Sequence, residues 1–213
     1  MKSFKDEDID EKKIDAFSKK FNLSSDQLEQ FKKYGRELLS WNKKVNLTAI
    51  TDPDKVLMDH FYDSLEITKF VDFNKITSIA DIGTGAGFPG IPLKICYPHL
   101  SVVLIEVIQK KADFLHHMIE MFDLDKVEVS TLDWRSFIRT GGGPIDLFVA
   151  RASLSVEELL RVFKPTSTFK NARLIYWASQ KWVMPKMAET FFVKEESYCL
   201  DNKHRRYIFF ANP

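Results

Sequence analysis

The sequence predicts an α/β fold in which an N-terminal helical extension leads into a mainly parallel sheet that closes with an antiparallel hairpin. Three observations carry this. From Ile76 onward, short apolar runs alternate with stretches of helical spacing, the pattern of repeated strand–helix–strand units. A glycine-rich turn, DIGTGAGFPGIP from Asp81 to Pro92, follows the first of those runs, and a turn without side chains lets a ligand approach the backbone. Before Ile76 the spacing is helical throughout.

Residues 8 to 70 read as helices. Ile14, Phe17 and Phe21 form one apolar stripe and Leu28, Phe31, Leu38 and Trp41 a second, separated by a break at Asn22 to Gln27 where Ser24 or Ser25 can cap the next helix. Asp52-Pro53-Asp54 opens a third helix, because proline suits the first turn and acids suit the helix dipole. Its inner face is Leu57, Phe61, Leu65 and Thr68. Ile76 to Ala80 is a buried strand, Gly90 to Tyr97 a helix of roughly three turns, and Ser101 to Glu106 the next parallel strand. Gln109 to Phe122 is helical; Lys126 to Thr131 and Ile145 to Ala150 are strands, the latter fully buried. Ser155 to Phe163 gives a helix and Ala172 to Trp177 a strand, and Pro185 interrupts a helical segment. Phe191 to Leu200 and Arg205 to Ala211 form the hairpin, joined by the turn Asp201 to His204. Residues 1–70 are thus expected to be a helical extension and 71–213 one compact sheet domain.

With 213 residues and 45% hydrophobic content, the chain can bury one sizeable core. Two cysteines, Cys96 and Cys199, stand outside any C-x-x-C pattern, so neither a disulfide framework nor a zinc site is indicated, and a reducing cytosol fits best. No metal pattern is present. Apolar runs fall short of the ~20 residues that cross a bilayer, and the start, MKSFKDEDIDEKK, is polar and acidic, which gives secretion no support. A net charge of +1 argues against a protein that coats nucleic acid through bulk charge. Local basic patches, Lys32, Lys33, Lys43 and Lys44, and the run Lys203, His204, Arg205, Arg206, read equally as solvated faces or as RNA contacts.

The glycine spacing selects a ligand class. Gly83, Gly85 and Gly87 stand as G-x-G-x-G, not the G-x-G-x-x-G of dinucleotide enzymes, and Asp81 precedes them. A carboxylate there repels the pyrophosphate that such a turn otherwise holds. S-adenosylmethionine carries no phosphate, and its ammonium and sulfonium are cations. Glu106, at the end of the second strand, stands where ribose hydroxyls are gripped. An NAD-linked oxidoreductase remains the reading from the glycine turn alone, and a ligand-free β-turn the reading if the motif stood alone.

NLTAI at Asn46 to Ile50, HFYDSL at His60 to Leu65, DIGTGAGFPGIPLKI at Asp81 to Ile95 and ARA at Ala150 to Ala152 occur in order. On these residues the chain resembles the RsmG (GidB) family of bacterial S-adenosylmethionine-dependent methyltransferases, which modify N7 of a guanine in 16S ribosomal RNA. The resemblance covers roughly Trp41 to Arg161, and Phe-Pro directly after the last glycine is its most specific piece. It implies a Rossmann-like methyltransferase sheet, cofactor roles for Gly83, Phe88, Glu106 and Arg151, and a cytoplasmic, monomeric enzyme acting on 16S rRNA or the small ribosomal subunit. Two departures stand out. The family's Arg-Ala-Glu loop after the third strand reads Leu132-Asp133-Trp134-Arg135-Ser136 here, which places Asp133 and Trp134 to bond and stack on the adenine. The family's Leu-Lys-Gly at the end of the fifth strand reads Tyr176-Trp177-Ala178-Ser179, with Lys181 the nearest lysine.

Guanine N7 bears an in-plane lone pair and no proton, so its methylation needs positioning and no general base. No catalytic residue is therefore expected beyond Arg151 as a positioning candidate. His60, Asp63 and Ser64 lack a nucleophile elbow and read as a buried polar stripe facing the cofactor site. His116 and His117 read as surface residues. Trp41, Tyr176, Trp177 and Trp182 are the aromatics available to stack an RNA base, although each position also suits packing. The alternatives are the same chemistry on a protein, DNA or small-molecule acceptor, or a non-catalytic cofactor-binding factor in ribosome assembly.

Overall fold

The computed structural model describes residues 10–213; the start of the acidic N-terminal run and the first two positions of the expected helical stretch, 1–9, lie outside it. Helix α1 (Glu11–Phe21) is capped by the Asp10 carboxylate and ends at Asn22 in the left-handed region, φ 49°. Ser24 opens α2 (Ser25–Asn42) with a complete capping box, its hydroxyl accepting from Gln27 N and the Gln27 side chain accepting from Ser24 N. Asp52 caps α3 (Pro53–Val56), with proline in the first turn as expected. The helix then widens into a π-helical stretch, Leu57–Tyr62, before a closing turn, α4 (Asp63–Leu65).

A seven-stranded sheet follows in the order β3-β2-β1-β4-β5-β7-β6. Strands β1 (Ser78–Ile82), β2 (Ser101–Ile105), β3 (Val127–Ser130), β4 (Leu147–Arg151) and β5 (Arg173–Ser179) run parallel. The hairpin β6 (Phe192–Leu200) and β7 (Lys203–Ala211) is antiparallel, β7 pairing with β5. Its turn is shorter than expected, two residues, Asp201 and Asn202, both at positive φ, which suits the twist of a tight hairpin.

Helices α5 (Gly90–Cys96) and α6 (Gln109–Met121) connect the first strands. With seven residues, α5 makes two turns where about three were expected. Alternation along the central strands sorts two cores. Ile79, Leu104 and Val149 face Tyr34, Phe61, Ile91 and Phe114, which join the N-terminal helices to the sheet. Ala80, Phe148, Ala150 and Leu174 face the other way, against α7 (Trp134–Thr140) and α8 (Val156–Leu159), the latter continued by a 3-10 turn, Leu160–Phe163.

Two expectations are corrected. Asp133 and Trp134 were expected in a loop, but Asp133 is the N-cap of α7 and Trp134 its first residue, because the Asp133 carboxylate takes the free amides of Arg135 and Ser136. Pro185 interrupts no helix; the residues before it are turn and irregular chain, and it precedes a 3-10 turn, Lys186–Phe191.

Candidate cofactor site

The glycine turn leaves β1 at the carboxyl edge of the sheet, beside the switch point between β1 and β4, where ligands of open α/β sheets bind. Asp81 organises it. Fully buried on β1, its Oδ2 accepts from Thr84 Oγ1 at 2.6 Å and from Gly90 N at 2.8 Å, tying the turn to the start of α5. Oδ1 is also buried and has no partner among the described residues. Burial pushes the carboxyl up to about 6, against the pull of the Thr84 and Gly90 bonds.

Glu106, just past β2, closes the turn from the other side. Its Oε2 accepts from Gly85 N at 3.0 Å and its Oε1 from Ile108 N at 2.9 Å. Each oxygen keeps a second lone pair for a ligand hydroxyl. Gly85 has φ +63°, and a Cβ built on it would meet nothing within 4 Å, so the turn faces open space there. Gly83 packs against Ser153, whose hydroxyl is buried without a partner. Gly87 lies inside the turn, its amide donating to Thr84 O.

The strand ends around this space are apolar. Val107, Ile108, Leu132 and Leu154, in the loops that follow β2, β3 and β4, are four of the eight large hydrophobics exposed among the described residues. Sequence reasoning missed them. The signal was available in Val107-Ile108 directly after Glu106, an apolar pair at a strand end where polar loop chemistry is usual.

Arg151 ends β4 and reaches the π-helical stretch. Its Nη1 donates to Asp63 Oδ2 at 2.8 Å and to Asp59 O at 3.2 Å, and its Nη2 donates to His60 Nδ1 at 3.4 Å. Phe88 is buried and stacks on His60 at 4.5 Å and on Tyr34 at 5.2 Å, with the Arg151 guanidinium 5.4 Å from its ring centre. His60 Nε2 bonds Thr48 Oγ1 at 2.8 Å, and Asn42 secures that loop by accepting from Leu47 N and Thr48 N. Burial and the neighbouring Arg151 push His60 down to about 3, so the ring is neutral and Nδ1 accepts from the arginine. The sequence segments NLTAI, HFYDSL, GFPG and ARA thus meet at one place.

Asp63 is inaccessible to solvent and also binds the hairpin: Oδ1 accepts from Tyr198 Oη and Arg205 Nη1, both at 2.6 Å. Asp59 accepts from Lys203 Nζ at 2.7 Å and Arg205 Nη2 at 3.0 Å. Two cations of the C-terminal basic run are therefore paired within the molecule, Lys203 at its surface and Arg205 half-buried, and Arg206 bonds the carbonyls of Ser179 and Trp182.

Other site expectations are placed differently. Trp134 lies in the second core, its ring edge-on to Phe148 at 5.5 Å and its Nε1 donating to Glu158 O at 2.7 Å. Asp133 is exposed, but its carboxylate is engaged with Arg135 N, Ser136 N and Ser136 Oγ. Arg135 forms a two-point ion pair with Glu158. Trp177 is buried, Trp41 packs on Phe114 and His117, and Tyr176 and Trp182 are half-buried against each other. His117 is not a free surface residue, since it bonds Glu37 at 3.0 Å. Lys181 is exposed in the turn after β5. Cys96 and Cys199 are free thiols. Among the described residues no helix is long and apolar enough to cross a membrane, and no group of three or more His, Cys, Asp or Glu is placed to hold a metal ion.

A protein-family model described as GidB, rRNA small subunit methyltransferase G, matches residues 27–206. A Bacillus cereus (strain B4264) protein named Ribosomal RNA small subunit methyltransferase G is 50% identical over 109 residues, 51% of this chain and 46% of that protein. A Bacillus pumilus (strain SAFR-032) protein of the same name is 51% identical over 106 residues, 50% of this chain and 44% of that protein. The chain spans about half the length of the curated relatives it matches. Among solved structures, M. capricolum TrmK in complex with S-adenosylhomocysteine superposes with a TM-score of 0.55 at 17% identity, covering 71% of this chain and 68% of that one. A point mutant of MtNAS superposes with a TM-score of 0.60 at 15% identity, covering 94% and 76%. These two likenesses are of fold.

Proposed function

The chain belongs to the GidB, rRNA small subunit methyltransferase G, family, and on that premise we propose that it transfers a methyl group from S-adenosylmethionine to N7 of a guanine in 16S ribosomal RNA. The observation that carries the cofactor assignment is the partnerless Asp81 Oδ1, buried beneath a turn that is open at Gly85. An ammonium group is the partner such an oxygen lacks. A phosphate is excluded there by charge.

S-adenosylmethionine, when bound, supplies a sulfonium methyl that is open to attack by a lone pair. Asp81 holds the ammonium of the methionine end; Gly85 keeps the open side of the turn clear for the ligand, and Gly83 and Gly87 shape the turn by letting it pack against Ser153, Tyr34 and Ile91. Glu106 accepts from the ribose hydroxyls with the lone pairs its backbone bonds leave free. Val107, Ile108 and Leu132 line the adenine, with Asp133 at the edge and the buried Trp134 ring behind the loop. Arg151, mounted on Asp63 and His60 and lying over Phe88, orients the reacting end of the site. No residue need remove a proton, because N7 has none; orientation of this kind can supply roughly 7–11 kcal/mol of a barrier.

In this reading residues 71–213 are the methyltransferase domain and 1–70 a helical extension. The protein works in the cytoplasm as a monomer on 16S rRNA or the small ribosomal subunit. The experiment is transfer of labelled methyl groups to small-subunit RNA, with Arg151→Ala as control, followed by mass analysis of the modified nucleoside. N7-methylguanosine formed by the wild type and lost in the variant supports the reading. Label on another acceptor, or none on RNA, overturns it.

A further inference from the structure

Away from the cofactor site, the groove between α7 and the 3-10 turn after α8 contains a cavity of about 260 Å³. Among the described residues its wall carries four cations, Arg135, Arg139, Arg161 and Lys164, and no carboxylate. In a chain whose net charge is only +1, that is a concentrated positive site.

Glu158 lies between two of the arginines. It accepts from Arg135 Nε at 2.9 Å and Nη2 at 2.8 Å, and pairs with Arg161 Nε at 3.0 Å. These bonds fix both guanidiniums and neutralise one charge of the four. Arg139 is held by a bond from its Nε to Arg135 O at 3.2 Å, and its other donors have no partner among the described residues. Lys164 has no ion pair among the described residues. The remaining polar lining is the hydroxyls of Thr166 and Ser167.

The guanidinium nitrogens that these bonds leave over, a free ammonium and hydroxyls are a donor set that receives phosphate oxygens. Among the described residues no aromatic lines it, so none of them stacks a base there. The upper end of the cavity, Arg135, is two residues from Asp133 at the end of the β3 loop, the rim of the proposed cofactor site. From there the cations continue one helical turn down α7 to Arg139, a rise of about 6 Å.

We propose that this groove binds backbone phosphates of the RNA next to the target guanine, a proposal that rests on RNA being the acceptor. It positions the strand and reads no sequence.

The test is binding of a fluorescein-labelled single-stranded RNA between 50 and 200 mM salt, comparing wild type with Arg139→Gln/Lys164→Gln. For single strands each phosphate contact contributes about 0.7 to the slope of log affinity on log salt, so each is worth roughly fivefold at about 0.1 M salt. Loss of two contacts is expected to weaken binding about 25-fold and to lower the slope by about 1.4. Arg139→Lys/Lys164→Arg should retain wild-type binding. Unchanged affinity and slope overturn the proposal. So does an equal loss on neutralising the exposed Lys12 and Lys19 of α1, which would reduce the effect to net charge. Inorganic phosphate is titrated alongside: binding sensitive to the double substitution, with RNA affinity unmoved, identifies a free-anion site and overturns it too. Methyl transfer is assayed separately. Substitution-sensitive RNA binding by a wild type that methylates no RNA keeps the groove and removes the activity.

Discussion

Replacing Asp81 by asparagine should separate stability from cofactor affinity at a single atom. The carboxyl lies at about 6 in the folded chain against 3.8 for an ordinary aspartate. The fold therefore favours its neutral form. That stabilisation is complete below pH 3.8 and is lost as pH rises through 6. The gap corresponds to about 3 kcal/mol of strain on the ligand-free protein at pH 7. In Asp81→Asn the amide oxygen keeps the Thr84 and Gly90 bonds while the charge disappears. The new amide nitrogen stands unpartnered at the Oδ1 position, which costs about 1–3 kcal/mol. The two effects nearly offset, so urea unfolding at pH 7 should place the variant within about 1–2 kcal/mol of wild type, on the stable side. Cofactor binding should suffer instead. A charge-assisted bond is worth about 1.5–3 kcal/mol, so calorimetry should find S-adenosylmethionine bound some 10–150-fold more weakly. Wild-type affinity should fall, approaching tenfold per pH unit, below pH 6, and should be flat above it until the ligand's own ammonium titrates near about 7.7–8; the variant should lack the acid-side slope. A variant that binds as tightly as wild type, or keeps its pH profile, would refute the role given to Oδ1.

Three further outcomes follow from the same geometry. Gly85→Ala places a methyl in the open space at φ +63°, so it should cost about 1–2 kcal/mol of stability yet abolish measurable cofactor binding; normal affinity would put the ligand elsewhere. Asp63→Asn leaves Arg151 and Arg205 without their buried counter-charge and should cost about 3–5 kcal/mol in denaturant unfolding, whereas a loss below about 1 kcal/mol would mean the network is ornamental. Trp134→Phe should lose about 1 kcal/mol with its bond to Glu158 and leave cofactor affinity intact, because the ring belongs to the core; a tenfold drop in affinity would restore it to the adenine.

The sheet was legible because its strands are short apolar runs with period-two burial, as in Ile79 and Leu104 on one face and Ala80 and Phe148 on the other. Caps were legible too: Ser24, Asp52 and the break at Asn22 act locally and announce themselves in sequence. Helix α7 was not, because Asp133 can cap a helix or line a loop with the same side chain, and only the packing of Trp134 and Phe137 on Phe148 decides between them. At the site, Asp81, Glu106 and the glycines form one turn, as their spacing suggested. The partners of Arg151 were hidden for another reason. Asp63, Tyr198 and Arg205 are brought together by the return of the hairpin, over separations of 135 residues or more, between Asp63 and its hairpin partners, that no local pattern encodes. The basic run at Lys203 could be read as surface or as RNA contact, and much of it serves instead to hold Asp59 and Asp63.

The central claim is that the turn after β1 holds S-adenosylmethionine through Asp81. A crystal structure of the protein with S-adenosylhomocysteine tests it most directly. The expected result is the ligand's amino group about 2.7–3.2 Å from Asp81 Oδ1, with the ribose hydroxyls on Glu106 and the Gly85 space filled. A ligand bound elsewhere, or one seated at the turn with Asp81 Oδ1 still partnerless, would contradict it.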